Sequence, residues 1–119
     1  MIFLTIYLSS SLSSFFLFLA ANNNFVGTIP TQIAALTNLE RLYLGMNKFS
    51  GTIPAELGLL TKLFYLQIED NFFTGTVPDQ VCNLRNLELD FFIATCFRVM
   101  DGVGIGVVCP EPSCCSDCT

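Results

Sequence analysis

The sequence predicts an α/β solenoid: a chain wound into stacked turns of 24 residues, with a parallel β-sheet along one face. Three observations predict it. Gly27-Thr28-Ile29-Pro30, Gly51-Thr52-Ile53-Pro54 and Gly75-Thr76-Val77-Pro78 recur at a fixed spacing of 24 residues. Four residues before each glycine stands an asparagine (Asn23, Asn47, Asn71), and two before it a phenylalanine (Phe25, Phe49, Phe73). Leu-x-x-Leu pairs keep the same register at Leu36/Leu39, Leu60/Leu63 and Leu84/Leu87, continuing to Leu42/Leu44 and Leu66/Ile68. One such unit cannot bury its own apolar face, whereas stacked neighbours bury a continuous core.

Taken in chain order, the first segment is the most ambiguous. No ionisable side chain precedes Glu40, and residues 1–21 are apolar apart from a serine-rich run, Ser9 to Ser14. Three readings stay open: a hydrophobic leader, a membrane anchor, or a degraded first repeat strand. A bilayer span needs about 20 residues. A leader usually carries a Lys or Arg near its start, which this one lacks. Subtracting one period from the leucine positions predicts apolar residues at 12, 15, 18 and 20, where the sequence supplies Leu12, Phe15, Phe18 and Ala20.

In the repeats that follow, Leu42-x-Leu44 and Leu66-x-Ile68 alternate with period two, so each is a short strand with its aliphatics on one side. Asn47 and Asn71 follow the strand, where a buried amide can satisfy backbone groups of its own and the neighbouring turn. Phe49 and Phe73 fill the middle of the coil, and Gly-x-Ile-Pro then bends the chain. Ala55 to Leu60 is expected to form a short helical or 3₁₀ turn. In the last unit Asp90 falls where an inward leucine belongs. The alternation Leu87, Leu89, Phe91 predicts a final strand slipped by one residue.

The end of a solenoid exposes core and needs a lid. Cys82, Cys96, Cys109, Cys114, Cys115 and Cys118 cluster there. Disulfides stapling an irregular tail, a thiolate zinc site, and a redox role for Cys115-x-x-Cys118 are the alternatives. Gly102-Val103-Gly104-Ile105-Gly106 lacks the spacing and following helix of a nucleotide loop and is expected to be a flexible turn in the cap.

With these motifs in view, the chain resembles the leucine-rich-repeat (LRR) proteins of the plant-type class, whose 24-residue unit carries the G-x-I-P extension. The resemblance covers about Leu12 to Phe92. It implies a short right-handed coil, a sheet on the concave face and a cystine-capped end. The paired-cysteine N-terminal cap common in secreted members is not visible, which points to an unprotected first turn or a shortened product. The expected division is a leader or degraded strand over 1–21, an LRR domain of about three to four repeats over 22–95, and a cysteine-rich cap over 96–119.

Composition bounds the function. Hydrophobic residues make up 52% and charged ones 13%, which excludes a disordered chain. A net charge of -5 argues against nucleic acid. There is no histidine, so the usual acid–base and nucleophile pairs are missing; neither catalysis nor a cofactor is expected. Function then belongs to the outward residues of the concave strands: Arg41, Tyr43, Met46, Phe64, Tyr65, Gln67 and Glu69, with Tyr43 and Tyr65 in one column. Glu69 and Asp70 are expected to be solvated or capping. The expected role is non-catalytic recognition of a protein or peptide, extracellular or at the cell surface, with membrane association through residues 1–21 as one reading. The alternative is a structural capping fragment of a longer LRR protein; a thiol enzyme using Cys115 and Cys118 is disfavoured by the absence of a nearby base.

Overall fold

The computed structural model describes residues 2–3, 17–19, 21–96, 98–100, 103–110 and 113–118. Two parallel sheets run along the coil. The larger has five strands: β2 (Leu17–Leu19), β4 (Arg41–Tyr43), β6 (Tyr65–Gln67), β8 (Phe91–Ala94) and β11 (Asp117–Cys118), in the spatial order β11-β8-β6-β4-β2. The second has four strands, β1 (Ile2–Phe3), β3 (Phe25–Gly27), β5 (Lys48–Gly51) and β7 (Phe72–Phe73), in order β1-β3-β5-β7. The alternation of Asn47, Phe49 and Gly51 is the period-two signal of this second sheet.

The register follows the 24-residue period. Phe18 pairs with Leu42, and Leu42 with Leu66. Residues 17–19 thus pair in the larger sheet one period before β4, while Leu12, Phe15 and Ala20 lie outside the described residues. Among the described residues, no helix is long and apolar enough to cross a membrane.

Leu36, Leu39, Leu42, Leu44, Leu57, Leu60, Leu63 and Leu66 are fully buried. Phe25, Phe49 and Phe73 stack with ring centroids 6.1 and 6.0 Å apart and form a spine through the coil. The asparagine ladder forms as expected. Asn47 Nδ2 donates to the carbonyls of Leu44 (3.0 Å) and Gly45 (3.2 Å), and its Oδ1 accepts from the Phe25 amide. Asn71 Nδ2 donates to Ile68 O, Glu69 O and, across the turn, Leu44 O, while its Oδ1 accepts from the Phe49 amide. Gly27, Gly51 and Gly75 all have positive φ, between 77° and 86°, a conformation that side chains disfavour. After each Gly-x-(Ile/Val)-Pro the chain makes a short helical turn: 3₁₀ at Thr31–Ala35 and Ala55–Leu59, and α1 (Asp79–Cys82) running into 3₁₀ at Asn83–Asn86.

The last repeat departs from expectation. Its strand is not shifted by a one-residue slip of Leu87, Leu89 and Phe91; two residues are inserted before it. Leu89 is 1% exposed and occupies the slot of Leu39 and Leu63, whereas Leu87 is 60% exposed. Phe92 then pairs with Leu66, so Phe92 and Ala94 point inward and Phe91 outward. Arg85 secures the insertion. Its guanidinium donates to Leu89 O (2.9 Å), Asp90 O, Ser113 O (3.1 Å) and Ser116 Oγ (2.9 Å).

The tail is not irregular either. Strands β9 (Arg98–Met100) and β10 (Val103–Ile105) pair antiparallel, so the glycine-rich segment expected as a flexible turn is half of a hairpin. Gly106, with φ 95°, lies against the last repeat so closely that a Cβ would come within 2.5 Å of Cys96 O. Val107 and Val108 bridge to Cys96 and Thr76, and β11 adds a final strand to the larger sheet. Cystines close the lid: Cys82–Cys114 ties α1 to the tail, Cys109–Cys115 closes a short loop, and Cys96 is oxidised as well. The zinc and C-x-x-C redox alternatives fall with this pairing, since Cys115 bonds Cys109 and its sulfur is no thiolate ligand.

Candidate functional site

Strand side chains alternate between faces, so the inward Leu42/Leu66/Phe92 layer fixes what lies on the outer face of the five-stranded sheet. One column there holds Arg41, Tyr65 and Phe91, and the next holds Tyr43, Gln67 and Ile93. Tyr43 and Tyr65 therefore do not share a column; they are diagonal neighbours. Their rings still meet, with centroids 4.9 Å apart and planes tilted by 31°. A parallel sheet allows this because diagonal positions lie within reach of aromatic side chains.

The contact continues across the face. Tyr65 meets Phe91 at 5.6 Å, Phe91 meets Phe64 edge-on at 5.5 Å, and the Arg41 guanidinium lies over the Phe64 ring at 5.8 Å. Five of the side chains on this face thus form one continuous strip, Tyr43–Tyr65–Phe91–Phe64–Arg41. Phe91 is the member that sequence reasoning missed, because the expected one-residue slip would have turned it inward, whereas the observed register leaves it outward. Beside the strip, at the strand entries, Glu40, Arg41, Lys62, Phe64 and Glu88 line an open recess of about 400 Å³. Lys62 Nζ is held there by Asn38 Oδ1 at 2.6 Å.

At the strand exits the picture differs. Met46 and Asp70 take positive φ (55° and 53°), turning the chain into the asparagine ladder, and Met46 remains exposed. Glu69 is neither solvated nor capping: it is only 7% exposed. Its side chain lies against Gly45 of the preceding turn, where an added Cβ would come 2.6 Å from Oε1. Gln67 Nε2 donates to Oε1, and Oε2 has no hydrogen-bond partner. Burial first, then Tyr43 and the Glu69 charge, push the Tyr65 phenol above the ordinary tyrosine value of about 10.

A family model described as Leucine Rich Repeat matches residues 38–60, which run from Leu39 through Asn47 and Gly51-x-Ile53-Pro54 to Leu60. The chain has the leucine-rich-repeat fold. No curated protein matches the sequence. Among solved structures, this LRR protein is similar to the BIR3–SERK2 complex from Arabidopsis thaliana, with 32% identity and a TM-score of 0.57 over 60% of this chain and 38% of that one. It is also similar to the plant peptide hormone receptor RGFR1 in complex with RGF2, with 34% identity and a TM-score of 0.58 over 64% of this chain and 12% of that one. A third is the Arabidopsis receptor kinase HAESA in complex with the peptide hormone IDA and the co-receptor SERK1, with 40% identity and a TM-score of 0.54 over 58% of this chain and 12% of that one. The LRR chain thus spans between 12% and 38% of the length of these structures. Its fold is that of plant receptor ectodomains.

Proposed function

We propose that this LRR protein is a non-catalytic recognition module whose outer sheet face binds an extended peptide, in an extracellular or cell-surface setting. The aromatic strip Tyr43–Tyr65–Phe91–Phe64, closed by Arg41, carries the reading. Tyr and Arg are enriched in binding hot spots, and here they lie contiguous on a rigid sheet. The oxidised cysteines of the cap support an oxidising compartment. Two of the similar structures hold a peptide hormone, which supports the ligand class.

The size of the face favours a peptide over a globular partner. Five strands span four gaps of about 4.8 Å, roughly 19 Å, and three residues of strand add about 10 Å in the other direction. The resulting footprint of about 200 Å² is a quarter of the roughly 800 Å² that a standard protein interface buries per partner. Affinity for one chain is therefore expected in the micromolar range or weaker.

The test is selection of displayed random peptides on the full oxidised chain, followed by calorimetry with the enriched peptides. Tyr65→Ser and Phe91→Ser should weaken binding at least tenfold. Leu59→Ser and Phe72→Ser, which remove comparably exposed apolar groups (64% and 63%) away from this face, should leave it unchanged. Equal sensitivity at both pairs would place the ligand elsewhere and refute the reading.

A further inference from the structure

We propose that the same face contains a subsite for one cationic side chain of the peptide, a guanidinium or ammonium, with Glu69 as its counter-charge and the Tyr43 and Tyr65 rings beside it. The inference rests on the peptide-binding reading and specifies the chemistry of the ligand.

The carboxylate is the unusual feature. Glu69 is 7% exposed, and of its two oxygens only Oε1 has a donor, the Gln67 amide. A buried carboxylate with one oxygen unpartnered is costly unless a cation or donor completes it. Among the described residues no cation reaches Oε2. Arg41 lies over Phe64 towards the strand entries, Lys48 stands exposed on β5 of the second sheet, Lys62 is bound to Asn38, and Arg85 is spent on the carbonyls of the cap. Mere packing does not demand a glutamate here either. The equivalent position one turn earlier is Gly45, which leaves the space the carboxylate fills, and one turn later it is Thr95, whose Oγ1 accepts from the Asp70 amide.

The surroundings suit a cation. Gln67, which donates to the carboxylate, is the register partner of Tyr43, and the Tyr65 ring lies 4.9 Å from that of Tyr43. Aromatic faces attract ammonium and guanidinium groups, most strongly when partly desolvated. A tyrosine phenol is neutral at physiological pH, so Tyr65 offers a ring face and a hydroxyl without adding a second negative charge. At longer range the chain's net charge of -5 draws basic ligands in.

The experiment uses the ¹⁵N-labelled full oxidised chain titrated with acetyl-arginine amide and with its neutral isostere, acetyl-citrulline amide. The arginine probe is expected to give saturable shifts at the amides of Gly45, Gln67 and Glu69, with the citrulline probe at least tenfold weaker. Glu69→Gln should abolish that preference while leaving resonances outside the site in place. Gly45→Ala, which keeps the charge but crowds the carboxylate, should weaken the arginine probe as well. Equal response to both probes, or arginine binding unchanged in Glu69→Gln, overturns the subsite. Peptides selected on the wild-type chain should be enriched in Arg or Lys, and those selected on Glu69→Gln should not. Selection of peptides that need Tyr65 and Phe91 but show no basic enrichment would overturn this inference and leave the peptide-binding reading standing. Failure to select any such peptide would remove that reading, and the arginine titration would still decide the subsite.

Discussion

Replacing Asn71 by alanine should destabilise the protein more than the same change at Asn47, although Asn71 is the more exposed of the two. The reason lies in which carbonyls keep a second donor. When Asn47 is truncated, Leu44 O still accepts from Asn71 and Gly45 O still accepts from the Asn22 amide at 2.9 Å. When Asn71 is truncated, Leu44 O keeps Asn47 and Glu69 O keeps the Met46 amide at 3.0 Å, but Ile68 O loses its donor among the described residues. Residues 87–119 contain no asparagine that could take over. A net hydrogen bond contributes about 1 kcal/mol, whereas an orphaned buried group costs about 1–3 kcal/mol. Each truncation also strips the acceptor from one backbone amide, Phe25 for Asn47 and Phe49 for Asn71, so the orphaned Ile68 O sets the difference: Asn71→Ala should cost about 1–3 kcal/mol more than Asn47→Ala. Urea unfolding of the oxidised variants, followed by far-ultraviolet circular dichroism, measures both. A larger loss at Asn47 would show that burial, and not donor redundancy, sets the cost, and would refute this account of the ladder.

Phe49→Ala should cost about 3–5 kcal/mol for the lost core volume and about 0.5–1.5 kcal/mol more for each broken ring contact, since Phe49 is fully buried between Phe25 and Phe73; Phe49→Leu, which keeps most of the volume, should cost clearly less in the same melt. The two described cystines should differ in proportion to the loops they close. With separations of 32 and 6 residues, the chain-entropy relation gives about 3.7 kcal/mol for Cys82–Cys114 and about 2.2 kcal/mol for Cys109–Cys115. Paired Cys→Ala variants of each bridge test the order. Tyr65 has a raised folded pKa, so its contribution to stability is fully present below about pH 10 and is lost as pH climbs through the raised value. Absorbance titration near 295 nm should therefore show a late-ionising tyrosine that disappears in Tyr65→Phe, with no change attributable to Tyr65 between pH 5 and 8.

The period was legible because its marker residues each have one physical job that few others can do. Gly51 must reach positive φ, Asn47 must both donate and accept, and Phe49 must stack on Phe25 and Phe73. The two-residue insertion was not legible. Leu87 and Leu89 are equally apolar, and what selects Leu89 for the core is the hydrogen bonding of Arg85 to Leu89 O and Asp90 O. An arginine outside any motif carries no periodic signal. Glu69 was misread for a related reason. An acid just after a strand is ordinarily exposed, and its burial here depends on a glycine 24 residues earlier that leaves room for it. The hairpin of β9 and β10 was hidden because glycine spacing was read as flexibility before strand pairing was considered.

The cap and the recognition face are mechanically one object. Phe91 stands on β8, and the register of β8 is set from the cap side as much as from β6. Ser116 accepts from the Phe92 amide at 2.8 Å through its Oγ and donates its own amide to Phe92 O at 2.8 Å. The same Oγ donates to Asp90 O and accepts from Arg85. Ser116 lies next to Cys115 and two residues from Cys114, both cystine-bonded. Opening those bridges would free Ser116, relax the Arg85 clamp on the inserted residues, and let β8 slip towards the alternative in which Leu87 replaces Leu89 in the core. A shift of two residues keeps the inward and outward alternation of the strand. It would instead move Leu89 into the place of Phe91, breaking both the Tyr65 and the Phe64 contacts. The lid therefore does more than cover the last core layer: its Ser116 and Arg85 bonds hold β8, and with it the aromatic strip, in register.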